Sequence, residues 1–194
     1  MPDGRAIAGV GKVRQTTSAL FSCCWLLLGI LTATPSNAAT NISMADLQAA
    51  TRAIGFLDTL PHDGTLVIGI VFAKGDSDRA MATATASQLA ALPGPANATI
   101  RTVLIPEQNF AKTTGRLDIV ILMPMPPGAG KEIAAAVRTR QIVSISTDRA
   151  CLDSRCCVLM IQTAPRVEIV LDTVTANDVG ARFSPVFTML VKRR

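Results

Sequence analysis

Three of the five cysteines of this chain stand within seven positions, in "ACLDSRCCVLMIQ" at residues 150–162. Clustered thiols serve three chemistries: metal ligation, thiol exchange or a covalent clamp. A structural zinc site takes four ligands, usually as two close pairs of Cys or His. Cys151, Cys156 and Cys157 need His62, the only histidine, to reach four, and it lies far away in sequence. A redox centre favours C-x-x-C at the start of a helix, whereas here a polar loop opens into an apolar run. We therefore expect a disulfide from Cys151 to Cys157, or to Cys156 as the alternative. Closing so short a ring is worth about 2 kcal/mol before strain, so its main effect is to order the loop. The third thiol is left over, as a small buried residue or an intermolecular partner.

Two loops have the composition of ligand sites. "PPGAGKE", Pro126 to Glu132, lays out glycines and a lysine as a phosphate-binding loop does. That pattern needs a glycine where Met125 stands and a hydroxyl where Glu132 stands, so we read a plain strand-to-helix connection. "KGDSD", Lys74 to Asp78, follows an apolar strand, and open α/β sheets bind ligands at such carboxyl ends. Asp76 and Asp78 oppose an anion, and Ser77 or Asp78 suits a helix cap. Asp76, Ser77, Asp78, Gly128 and Gly130 are the candidate ligand or partner residues. His62 sits in a "PHDG" turn with no G-x-S-x-G motif anywhere in the chain, and the carboxylates form no recognisable pair. We assign no catalytic residue, metal or cofactor.

The elements that must position these residues alternate in type. From Ser43, apolar residues Met44, Leu47, Ala50, Ile54, Leu57 and Leu60 recur at helical spacing, with Ser43 as cap and Asp46 charging the favourable end. "TLVIGIVF" at 65–72 is a continuous branched run, as in a strand buried on both faces. A helix is expected over 79–92, strands at 98–106 and 117–124, a loop or one irregular helical turn over 106–115, and a helix over 131–140. Strands follow at 141–147, 157–163 and 166–172. The last two are parted by so little chain that they must form a hairpin. A helix over 173–179 stops at Gly180, and a last helix begins with Ser184 as cap and Pro185 at its first position. Lys192 to Arg194 suit that helix's negative pole. This order predicts one three-layer α/β domain whose mainly parallel sheet has antiparallel strands at one side.

The amino terminus explains part of the 194 residues. Arg5, Lys12 and Arg14 precede an uncharged apolar run, Ala19 to Ala33, and then "TPSNAAT". The run is shorter than the roughly 18 apolar residues of a spanning helix. Ser36 and Ala38 are small residues at the positions a signal peptidase reads. We expect residues 1–38 to be a cleaved signal peptide, residues 39–194 to be the domain, and the periplasm to be its location, where disulfides persist. A net charge of +5 with no tyrosine is too weak a basis for nucleic-acid binding.

"IVSISTDRACLDSRCCVLMI" followed by "RVEIVLDTVTANDVGARFSPVFTMLV" resembles the YfiR family of small periplasmic proteins. The likeness is best over the last fifty or so residues and extends to "LVIGIVF" and "LDIVILM". It implies a compact α/β domain that represses an inner-membrane diguanylate cyclase by binding its periplasmic sensor part. The expected function is thus a non-enzymatic protein-binding regulator with a membrane-bound signalling partner, a homodimer being open. The alternative is a periplasmic small-ligand-binding protein like those of ABC transporters, using the crevice near Asp76 to Asp78 and Pro126 to Gly130.

Overall fold

A computed structural model describes residues 42–60 and 64–194. The expected signal segment, Cys23, Cys24 and His62 lie outside the described residues. Helix α1 (Met44–Ile54) opens with a reciprocal cap, Ser43 accepting from the backbone of Asp46 while Asp46 accepts from the backbone of Ser43. Strand β1 (Thr65–Phe72) is buried from Leu66 onward. Helix α2 (Asp76–Ala90) buries Ala82, Thr85, Ala86 and Leu89. These are mostly small residues at helical spacing, which let the helix approach the sheet closely. Strand β2 (Thr99–Pro106), the single-turn α3 (Glu107–Phe110), β3 (Ile119–Leu122), α4 (Ala129–Arg140), β4 (Val143–Ser146) and α5 (Arg149–Asp153) follow. The chain closes with β5 (Leu159–Gln162), β6 (Glu168–Leu171), α6 (Thr173–Asp178), α7 (Pro185–Leu190) and β7 (Lys192–Arg193).

The seven strands form one sheet in the order β2-β1-β3-β4-β5-β6-β7. Pairings are parallel except β5 with β6, where Leu159 faces Leu171 and Gln162 faces Glu168. The expected α/β class, mainly parallel sheet and hairpin are all present. Right-handed crossovers put α2 on one face and α3, α4 and α5 on the other, because the chain reverses direction after β2. Helix α1 packs on α2 and β5. Arg138 of α4 is bonded to Asp178 of α6 at 3.0 Å.

Several boundaries depart from expectation. Helix α1 ends at Ile54, short of Leu57 and Leu60, and α4 starts at Ala129 rather than Lys131. Helix α2 starts at Asp76 rather than Arg79, so "KGDSD" is not a free loop. Neither Ser77 nor Asp78 caps it: Gly75 is the cap residue, and a Cβ there would lie 2.6 Å from the Asp78 carboxylate. The residues expected as a loop around Cys151 form α5, capped by Asp148 accepting from Ala150 N–H. Lys192 to Arg194 do not decorate a helix end. Val191 is extended, and β7 pairs with the free edge of β6, Val170 opposite Lys192 and Leu171 opposite Arg193. The edge strand satisfies backbone groups of β6 that would otherwise be bare.

Candidate functional site

At the carboxyl edge of the sheet, the loops after β3 and β4 enclose a cavity of about 580 Å³. Gly128 and Gly130 line it with Met123, Met125, Lys131 and the paired cysteines. Asp76, Ser77 and Asp78 do not line it; they belong to the first turn of α2, on the other face of the sheet. The structure therefore separates the two halves of the expected crevice. Gly128 adopts φ 99° as the cap residue of α4, a left-handed conformation that glycine takes without penalty. Gly130 has a packing role: a Cβ there would come within 2.6 Å of Ser154 Oγ. That hydroxyl is committed to the carbonyls of Ala150 and Cys151, so α4 and α5 meet at a contact only glycine permits.

The disulfide joins Cys151 to Cys156, the alternative partner, and not to Cys157. Arg155 turns the chain with φ 56°. The fully buried Ser144 of β4 then grips the next stretch, donating to Cys156 C=O at 2.9 Å, while Val158 N–H donates to Ser144 C=O at 2.8 Å. Adjacent residues of an extended stretch project to opposite sides, so only one of the two neighbouring thiols can face Cys151. Cys157 is free and wholly buried. Burial, reinforced by Asp172 and Asp148, pushes its thiol far above its ordinary value. Protonated and enclosed, it acts as a small core residue rather than a nucleophile. Alkylation of the native protein followed by peptide mapping is expected to leave Cys157 unmodified, and full labelling to require denaturant. Rapid native labelling would contradict this burial.

A larger concavity lies elsewhere. Helix α1, the β5–β6 hairpin and the α7–β7 segment wall a groove of about 940 Å³. Its apolar surface comes from Ala45, Ala49, Phe56, Val167, Phe187 and Leu190, and its rim carries Arg52, Glu168 and Lys192. Two links hold the walls in place. Asp46, at the start of α1, accepts from Thr163 N–H and Oγ1 on the hairpin, each at 2.8 Å. Phe187 stacks on Phe56 at 5.3 Å and on Phe183 at 5.1 Å between ring centroids. Lys192 bonds to Glu168 at 2.8 Å and, with Arg149, holds that carboxyl below its usual range.

No local pattern announces this groove, because its walls lie more than a hundred residues apart in sequence. Its one local trace is the spacing of Phe183, Phe187 and Leu190, four and three residues apart near the carboxyl terminus. Among the described residues no group of three or more His, Cys, Asp or Glu is placed to hold a metal ion.

No family model and no curated protein matches the chain. Among solved structures it is similar to an ABC domain from Streptococcus pneumonia in complex with L-Trp, with a TM-score of 0.52 at 9% identity. The likeness covers 77% of this chain and 59% of that one. This chain thus spans well under two thirds of that neighbour, and at such identity the two share a fold.

Proposed function

We propose that this chain is an exported, non-catalytic regulator that binds another protein in the groove between α1 and α7. The observation that carries the reading is the exposed apolar lining of that groove, with Phe56 38% and Val167 72% exposed. Protein interfaces combine such an apolar centre with a polar rim, here Arg52, Glu168 and Lys192. The resemblance to the YfiR family adds a partner class, a membrane-bound diguanylate cyclase with a periplasmic sensor part. The residues that carry the resemblance best build β5, β6, α7 and β7, one wall of the groove. Val167→Asp puts a charge in the groove at an exposed hairpin position. Wild-type protein is expected to recover a diguanylate cyclase from membrane extracts, identified by mass spectrometry, and Val167→Asp to lose it. Equal recovery by both, or by neither, sinks the proposal.

A second reading is favoured by the fold shared with a domain that was crystallised with L-Trp and by the cavity at the carboxyl edge of the sheet, where open α/β folds bind ligands. In this reading the 580 Å³ cavity beside Gly128 and Lys131 holds a small molecule. A ligand at 100 times its dissociation constant adds about 2.7 kcal/mol to stability. A thermal-shift screen across metabolite classes with no response removes this alternative.

A further inference from the structure

Helix α7 buries only Phe187. Val186, Met189 and Leu190, spaced three and four residues apart and so on one side of the helix, are 56%, 78% and 75% exposed. The outward face of a surface helix is ordinarily polar. Here the sole polar side chain, Thr188, turns its hydroxyl back to the carbonyl of Pro185. Positive charge is concentrated in the same stretch of chain. From Val179 to Arg194 the chain has no acidic residue and four cations, Arg182, Lys192, Arg193 and Arg194. Lys192 and Arg194 are engaged with Glu168 and Asp153; no carboxylate bonded to Arg182 or Arg193 is found among the described residues.

We propose that the α7–β7 end of the domain seats on an anionic lipid bilayer, Val186, Met189 and Leu190 entering the interface and Arg182 and Arg193 meeting the phosphates. Charge decides between occupants. A second copy packed across a twofold axis would bring the same patch against itself, setting these cations against their own duplicates. An anionic membrane surface supplies what both halves of the patch need, apolar depth for the ridge and negative charge for its basic border. No described helix is long and apolar enough to cross a membrane, so the contact would be peripheral. It would hold the adjacent groove at the surface from which a membrane-bound partner projects, but it stands independently of that partner.

Co-sedimentation of the full chain tests this, using vesicles of phosphatidylcholine alone and vesicles with about one third phosphatidylglycerol. Any binding by the apolar run at 19–33 is common to all variants, so the readout is the difference between variants. Arg193→Gln is expected to weaken binding to the anionic vesicles about fivefold. Met189→Asp should weaken it by at least about tenfold, and added salt should release the wild type. Circular dichroism confirms that the variants are folded; both positions are exposed. Unchanged binding by both variants, or equal wild-type affinity for the two vesicle types, overturns the proposal. So does a solution dimer that Met189→Asp dissociates while vesicle binding persists, which would assign the face to a second copy. Val167→Asp, which tests protein capture in the groove, is expected to leave vesicle binding intact, so either idea can fail alone.

Discussion

Replacing Phe187 with alanine is expected to cost about 3 kcal/mol, the lower end of what burying and then deleting a phenylalanine ring involves. In a domain of this size that lowers the melting temperature by roughly 10 °C. Phe187 is 3% exposed and is the one buried residue of α7. A six-residue helix has no stability of its own, so the ring between Phe56 and Phe183 is what fastens it to the turn after α1. The backbone contributes a second fastening just before the helix. Asp58 N–H donates to Arg182 C=O and Ser184 N–H to Phe56 C=O, both at 2.9 Å. The variant should therefore keep residues 182–184 in place while α7 and β7 loosen. Urea denaturation gives the stability change, and hydrogen exchange locates the loosened segment. Phe187→Leu should recover more than half of the loss, and Met189→Ala, at an exposed site, should change little. A loss below about 1 kcal/mol, the size expected of an unimportant contact, would show that the stack is not the anchor.

That anchor illustrates which parts of the molecule sequence reasoning reaches. Strands β1, β3 and β5 were legible because a strand buried on both faces must be apolar without interruption. The β5–β6 hairpin was legible because Ala164 and Pro165, all that parts the two expected strands, leave no room for a crossover. Ser184 followed by Pro185 marked the start of α7 correctly. Helix starts were less legible where the cap residue has no side chain: Gly75 and Gly128 offer no hydroxyl or carboxylate, so α2 and α4 begin two or three residues before expectation. Helix α5 escaped because five residues are too few to show a period. Strand β7 escaped because its two cationic residues carry no β signal, and only the bare edge of β6 calls for them. The cysteine cluster was read correctly as a clamp, but the choice between Cys156 and Cys157 depends on which side of an extended chain each faces. Ser144, twelve residues earlier, fixes that orientation. The groove is the extreme case, since strands β1 to β6 lie between α1 and α7 in the chain.

Asp46 is where that long-range assembly is most concentrated, and Asp46→Ala is expected to cost about 3 kcal/mol, from the loss of a helix cap and of charge-assisted hydrogen bonds. The side chain is 8% exposed. Its carboxylate accepts from Ser43 N–H at 3.0 Å, Ser43 Oγ at 2.6 Å, Thr163 N–H at 2.8 Å and Thr163 Oγ1 at 2.8 Å. Only the Ser43 half was visible in the sequence, as a cap and a favourable helix charge. The Thr163 half spans 117 positions and ties the start of α1 to the hairpin. Burial alone would raise the carboxyl's pKa, but the hydrogen bonds from Ser43 and Thr163 outweigh it and leave the value lowered. The sign of the pH dependence follows. A carboxylate favoured by the fold stabilises fully above the unfolded value of about 3.9 and loses that contribution as pH falls through its lower folded value. Asp46→Asn keeps an acceptor for Thr163 but turns amide hydrogens toward the Ser43 donors, and it has nothing to titrate. Wild-type stability should therefore fall more steeply than that of Asp46→Asn below pH about 4, and parallel acid profiles would refute the assignment. Because Ser43 and Thr163 both line the groove, freeing the hairpin from α1 changes its width. At neutral pH, where Asp46→Asn remains folded, it should capture the partner proposed above less well than wild type.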